Sequence, residues 1–162
     1  MDRMPTSRIT RLLLLFASAA CARKDASAPP AQAPAVESAS FAPALGVDLS
    51  ASTRLPSGMY YRDLLVGTGP VVAAGQLVSV HYDGTLVDGT RFDRNAPGDQ
   101  PFSFRVGNRE VIDGWDAGVV GMRVGGTRQL IIPPALGYGP SGYGPIPGNA
   151  ILVFTVEVVS VQ

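Results

Sequence analysis

The chain has 162 residues, room for one ordinary domain and a tail, with thirteen basic and thirteen acidic side chains and no net charge. That balance excludes the electrostatic footprint of a nucleic-acid binder. A single cysteine and a single histidine exclude an intrachain disulfide and a Cys/His metal cluster, and no apolar run approaches the roughly 18 residues of a spanning helix.

Residues 1–20 read as an export signal. Arg3, Arg8 and Arg11 give a basic start, Leu12 to Ala17 a short apolar core, and Ser18-Ala19-Ala20 a small-residue stretch ahead of Cys21. A cysteine at this depth after small residues is similar to a lipoprotein cleavage site, where the thiol is acylated and becomes the new N-terminus. Ser18 departs from the leucine usual there, and ordinary secretion with cleavage after Ala17-Ser18-Ala19 is the competing reading. Firm anchoring needs more than one acyl chain.

Residues 21–56 are rich in Ala, Pro and Ser, as in Ala28-Pro29-Pro30-Ala31. Such a composition predicts a mobile tether, whose about 35 residues would reach about 30 Å on average. The domain is expected over 57–162. There, seven arginines face nine acids, so the globule is mildly acidic.

From Gly58 onward short β-rich runs alternate with Gly and Pro. Met59–Val66 predicts a strand ending in the turn Gly67-Thr68-Gly69-Pro70. Leu77–Leu86 predicts a second, with Val78, Val80 and Tyr82 on one face. Phe102, Phe104 and Val106 alternate in the same way. Ile112, Trp115, Val119 and Met122 mark one face of a short helix, weakened by Gly114, Gly118 and Gly121 by roughly 1 kcal/mol each and dependent on packing. Arg128–Ile132 and Leu152–Val161 complete the strands, the last with Leu152, Phe154, Val156 and Val158 on one side. The expected fold class is α+β, a curved antiparallel sheet wrapped around one short helix.

Two short motifs mislead. Gly137-Tyr138-Gly139-Pro140-Ser141-Gly142 spells the dinucleotide pattern G-x-G-x-x-G. That pattern works only at the start of a helix, and Gly144, Pro145, Pro147 and Gly148 forbid one here. Ser141 lacks the second glycine of a nucleophile elbow, because Tyr143 stands there.

The motifs that remain are Val80-His81-Tyr82-Asp83-Gly84-Thr85-Leu86, Phe92-Asp93, Glu110-Val111-Ile112-Asp113-Gly114-Trp115 and Leu136-Gly137-Tyr138-Gly139. In this order, from about Gly58 to the C-terminus, they resemble the FKBP-type peptidyl-prolyl cis-trans isomerases. The resemblance implies a pocket walled by Tyr82, Phe92, Phe102 and Trp115, with Trp115 as the floor under the proline ring. It implies Val111 and Ile112 on one side, the Ile112 N–H as a donor to substrate, the Tyr138 hydroxyl on a substrate carbonyl, and Ile146 and Phe154 on the remaining wall. Asp93 is the one acid it places at the pocket, orienting Tyr82 or shaping the field at the amide. Catalytic roles thus fall on Tyr82, Asp93 and Tyr138. Taken singly, each of these residues would serve as well in the core of any small β fold; the ordered set is what carries the reading. His81 is expected to face away from Tyr82, since strand neighbours alternate.

The chemistry asks for little. The barrier of about 18–20 kcal/mol to rotation comes from amide resonance. Water stabilises the charge-separated form, so a dry pocket weakens the C–N double bond and favours the twisted amide. No cofactor or metal is implied. The implied partners are proline-containing polypeptides and macrolide inhibitors of the immunosuppressant type, acting in the periplasm on exported proteins, with a lipid on Cys21 holding the chain to a membrane. A proline-segment binding module without useful turnover and a purely structural lipoprotein are the alternatives. The tail is too short and too proline-rich for a dimerising helical domain, so a monomer is expected. The resemblance departs at two places. An arginine that often pairs with the pocket acid falls on Gly98, and the loop after Tyr138 is one residue short, with Tyr143 at a position that varies.

Overall fold

A computed structural model describes residues 33–162. Its centre is β3, Leu77–Leu86, ten residues whose inner positions Val78 and Val80 are fully buried. One edge of β3 pairs antiparallel with the C-terminal strand β7, Leu152–Val161. The other edge is shared end to end by two short strands. Phe102–Arg105, β5, takes the first half, and Arg91–Asn95, β4, takes the second. β7 continues into β6, Thr127–Ile132, then β2, Tyr60–Leu65, then β1, Thr53–Arg54, giving a seven-stranded antiparallel sheet. The register slips beside Val80, where β7 carries the extra residue Val159, and beside Thr85, where β4 carries the extra residue Phe92, and such bulges bend the sheet.

The one α-helix among the described residues, α1, runs Asp113–Gly118 and lies on the concave face. It is shorter than the four-point apolar face predicts. Val119 caps it and Met122 lies beyond it, both buried, while Gly121 at φ 80° has already turned the chain. Two of its weak helix formers are required by packing. A Cβ on Gly114 would stand 2.5 Å from Ile132, and one on Gly118 2.7 Å from Met59. Helix propensity is given up so that the helix can approach the sheet. The buried Arg128 then closes the helix end, donating from Nη1 to the carbonyls of Gly118 (2.9 Å) and Val120 (3.1 Å), while its Nε meets Asp63 at 2.6 Å.

Residues 33–56 correct the expectation of a mobile tether over 21–56. Val36 to Leu49 are folded onto the convex face of the sheet, and Thr53–Arg54 join its edge as β1. Val36 is buried with Tyr60, Ile131 and Ile151, and Phe41, Val47 and Leu49 pack around them. Glu37 accepts from the Tyr60 hydroxyl (2.8 Å) and from Arg54 Nε (2.9 Å), and the Gln129 amide donates to the Leu45 carbonyl. Composition misleads here because four larger apolar side chains spaced among Ala, Pro and Ser suffice once a sheet offers them a face. β6 records the same fact: Leu130 and Ile132 point to the helix, Ile131 to this arm, and all three are fully buried. The remainder of that tether, Cys21 and the export signal lie outside the described residues.

The other strands agree closely with their apolar alternation. β1 and β4 were not foreseen. Both are short, and β4, with the residues Arg91 to Asn95, has no apolar period to betray it.

Candidate functional site

Every pocket residue singled out above lines one cavity of about 380 Å³: Tyr82, Phe92, Asp93, Phe102, Val111, Ile112, Trp115, Tyr138, Ile146 and Phe154. They come from four strands, two loops and the helix, and the fold converges them. Three more residues join them: Glu110, Tyr143 and Pro145.

Trp115 forms the floor. It is 4% exposed and ringed by other aromatics at edge-to-face angles. Tyr82 lies 5.0 Å from it at 80°, Phe154 5.2 Å at 84°, and Phe102 6.1 Å at 78°. Such tilted pairs suit the ring quadrupole and hold each wall at a set angle. Phe92 in turn meets Phe154 at 5.4 Å and 84°. Gly84 makes that corner possible. It pairs with Phe154 on β7 and Asp93 on β4, and a Cβ there would stand 2.7 Å from the Phe154 ring and 2.8 Å from that of Phe92. Its place in the motif was noted from sequence, but nothing in one sequence shows that two rings close over it.

The side holding Val111 and Ile112 is built by two acids. Asp116, on α1, accepts the N–H groups of Gly107 (2.8 Å) and Arg109 (3.1 Å), and so holds Arg109 in the left-handed region at φ 59°. Glu110 accepts from the Arg105 N–H (3.0 Å) and the Asn108 amide (3.2 Å), and these bonds, the backbone one foremost, keep its carboxyl below the usual range. Ile112 is extended, at φ −61° and ψ 148°, and its carbonyl accepts the Trp115 N–H at 2.9 Å. Its own N–H meets no acceptor among the described residues.

At the rim, Tyr82 donates its hydroxyl to Asp93 Oδ2 at 2.8 Å, and Asp93 Oδ1 accepts the Arg94 N–H. Burial, and then the hydrogen bond to Asp93, push the Tyr82 hydroxyl well above its ordinary value, so it stays a donor. Among the described residues no guanidinium pairs with Asp93. Arg91 and Arg94 both turn to Asp83, at 2.8 and 3.9 Å, and Gly98 sits in a loop tied by Asp99 Oδ2 accepting the Ala96 N–H. His81 faces away from Tyr82, as expected, with Nδ1 2.7 Å from Asn95 Oδ1.

Tyr138 enters from the loop before β7. Burial, and then the Asp93 charge, raise its hydroxyl pKa, and that hydroxyl bonds to nothing among the described residues. Its ring stacks on Tyr143 at 5.4 Å and 15°. Tyr143 and Ile146 exchange both backbone bonds at 2.9 Å, and Gly142 at φ 67° lets the chain pass so close that a Cβ there would stand 2.2 Å from the Ile146 carbonyl oxygen. Gly142, one of the glycines that mimicked a phosphate loop, serves this crossing.

Comparison with known proteins agrees with this geometry. Residues 69–159 match the family model described as FKBP-type peptidyl-prolyl cis-trans isomerase. The chain is 53% identical over 112 residues to FK506-binding protein 4 of Dictyostelium discoideum, a match covering 68% of this chain and 30% of that protein. It is 45% identical over 114 residues to FK506-binding protein 2 of the same organism, covering 83% of it. The first relatives are therefore much longer than the stretch they share with this chain. Among solved structures, FkpA from Escherichia coli superposes with a TM-score of 0.64 at 38% identity, over 69% of this chain and 52% of that one. AtFKBP13 gives the same score and identity over 68% and 98%. The chain belongs to the FKBP-type peptidyl-prolyl cis-trans isomerase family.

Proposed function

We propose that the chain accelerates cis–trans isomerisation of X–Pro bonds in exported proteins as they fold. The observation that carries this reading is the ring-walled cavity floored by Trp115, with a single hydroxyl–carboxylate pair, Tyr82–Asp93, at its rim. A proline ring seated on the indole places its preceding amide against apolar walls. Loss of water there destabilises the planar, charge-separated ground state relative to the twisted one. Rotation needs no bond to break, so the side chains need only bind and orient. The free Ile112 N–H serves as donor to a substrate carbonyl, and the Tyr138 hydroxyl, kept protonated by burial, as another. Asp93 fixes the Tyr82 ring and places a negative field at the amide edge.

The basic, apolar and small-residue order of residues 1–20 supports export to the periplasm, and Cys21 supports acylation and membrane anchoring. Names given to relatives for FK506 binding support occupancy of the same cavity by macrolides of that type. The chain acts as a monomer.

The test is the relaxation rate of a Leu–Pro peptide with and without the full chain. Acceleration that a macrolide titrates away is expected; an unchanged relaxation rate refutes the proposal. Incorporation of labelled fatty acid, lost in Cys21→Ser, tests the anchor, and sedimentation tests the monomer.

A further inference from the structure

Two features of the cavity mouth go unused by amide rotation. The first is Tyr143. Its ring lies parallel to Tyr138 and its backbone is held by the paired bonds to Ile146, yet the residue is 70% exposed. A stacked ring with one free face at the rim of a binding cavity is a platform for whatever flanks the bound proline. The second is charge. Asp93 and Glu110 both line the cavity, and no lysine, arginine or histidine does. Among the described residues neither acid forms an ion pair. Of the nearby guanidiniums, Arg105 donates to the Gly75 carbonyl and reaches Glu110 only through its charge, the last of the causes that lower that carboxyl, and Arg94 turns toward Asp83. Two carboxylates against apolar walls concentrate a negative potential at the mouth. The electron-rich face of Tyr143 adds attraction of the same sign for a cation.

Resting on the isomerase reading, we infer that the mouth formed by Tyr143, Tyr138, Glu110 and Asp93 makes this site selective for proline segments bearing lysine or arginine beside the proline, and unfavourable to those bearing aspartate or glutamate. Tyr143 is the specificity-determining residue, and Glu110 supplies charge without touching the reacting amide.

The test uses the full chain and peptides that differ only in the residue flanking proline, in two series for the preceding and following positions. In at least one series kcat/KM for the Lys peptide is expected to exceed that for the Glu peptide by about fivefold or more, with Leu between them. The gap narrows in about 0.5 M salt, where charges are screened within a few ångströms. Tyr143→Leu and Glu110→Gln each lower the Lys-to-Glu ratio, and Tyr143→Phe, which keeps the ring, preserves it. The ratio is read within one enzyme preparation, so partial loss of folded protein does not disturb it. Acceleration of all peptides alike, or a ratio unmoved by both Tyr143→Leu and Glu110→Gln, overturns this inference and leaves the isomerase reading standing. Acceleration of none overturns both.

Discussion

Tyr82 and Asp93 lie eleven residues apart on neighbouring strands, and the Tyr82 hydroxyl donates to the Asp93 carboxylate at 2.8 Å across the cavity rim. The bond joins the only wall ring with a polar tip on β3 to an acid that no arginine among the described residues neutralises. Removing either partner should therefore have the same consequence. Tyr82→Phe and Asp93→Ala are each expected to lower kcat/KM by about twofold to tenfold, the worth of about 0.5–1.5 kcal/mol for one such bond. The double variant should fall little further. Additive losses in a double-mutant cycle would show that the two residues act separately.

Trp115 is the sole tryptophan of the sequence and the cavity floor. Its emission therefore reports occupancy with no competing signal. A proline peptide or a macrolide is expected to change it saturably, and Phe154→Ala, which removes the ring 5.2 Å away, should weaken that titration. Trp115→Ala leaves a large void among the surrounding rings and is expected to cost about 3–5 kcal/mol in denaturant unfolding.

Gly84→Ala tests the close contact of two walls. The added methyl would stand within 2.9 Å of both the Phe92 and Phe154 rings, which are themselves packed edge to face. One ring must swing into the cavity or the strands must part. A stability loss of about 1–3 kcal/mol is expected, with weaker peptide binding measured by tryptophan emission. Retained stability with full affinity would mean that the corner has slack.

Glu37 fastens the N-terminal arm to the sheet. Its own backbone N–H, the Tyr60 hydroxyl and then the Arg54 guanidinium hold its carboxyl down to about 2. A depressed carboxyl stabilises the fold above its unfolded value, near 4.5, and loses that contribution as pH falls toward about 2. Acid unfolding of the wild type should steepen in that window, and Glu37→Gln should flatten it. Deletion of residues 33–56 would expose Tyr60, Ile131 and Ile151 and should lower the unfolding temperature at neutral pH.

Tyr82 gives the opposite limb. Its hydroxyl is raised by burial and by Asp93, so the folded chain holds that proton above the ordinary value near 10 where the unfolded chain releases it. Its contribution is complete below about pH 10 and is lost as pH rises beyond. Tyr82→Phe should reduce the alkaline fall in stability seen by circular dichroism.

Much of this molecule is written in local pattern. The alternation of Val78, Val80 and Tyr82, and of Leu152, Phe154, Val156 and Val158, sufficed to place two ten-residue strands, because a sheet with one buried face demands a period of two. The ordered motifs around Tyr82, Asp93, Trp115 and Tyr138 sufficed to name the walls of one cavity, since chemistry that only binds and dries an amide leaves its mark in ring side chains. What required the third dimension was every feature set by a distant neighbour. Gly84 looks like any strand glycine until Phe92 and Phe154 meet above it. Val36 to Leu49 read as a tether until the convex face of β6 offers them a surface to cover. Tyr143 acquires meaning only when its ring lies flat on Tyr138. A side chain's own type dictates what it can bury or donate, and only the folded chain decides what stands opposite.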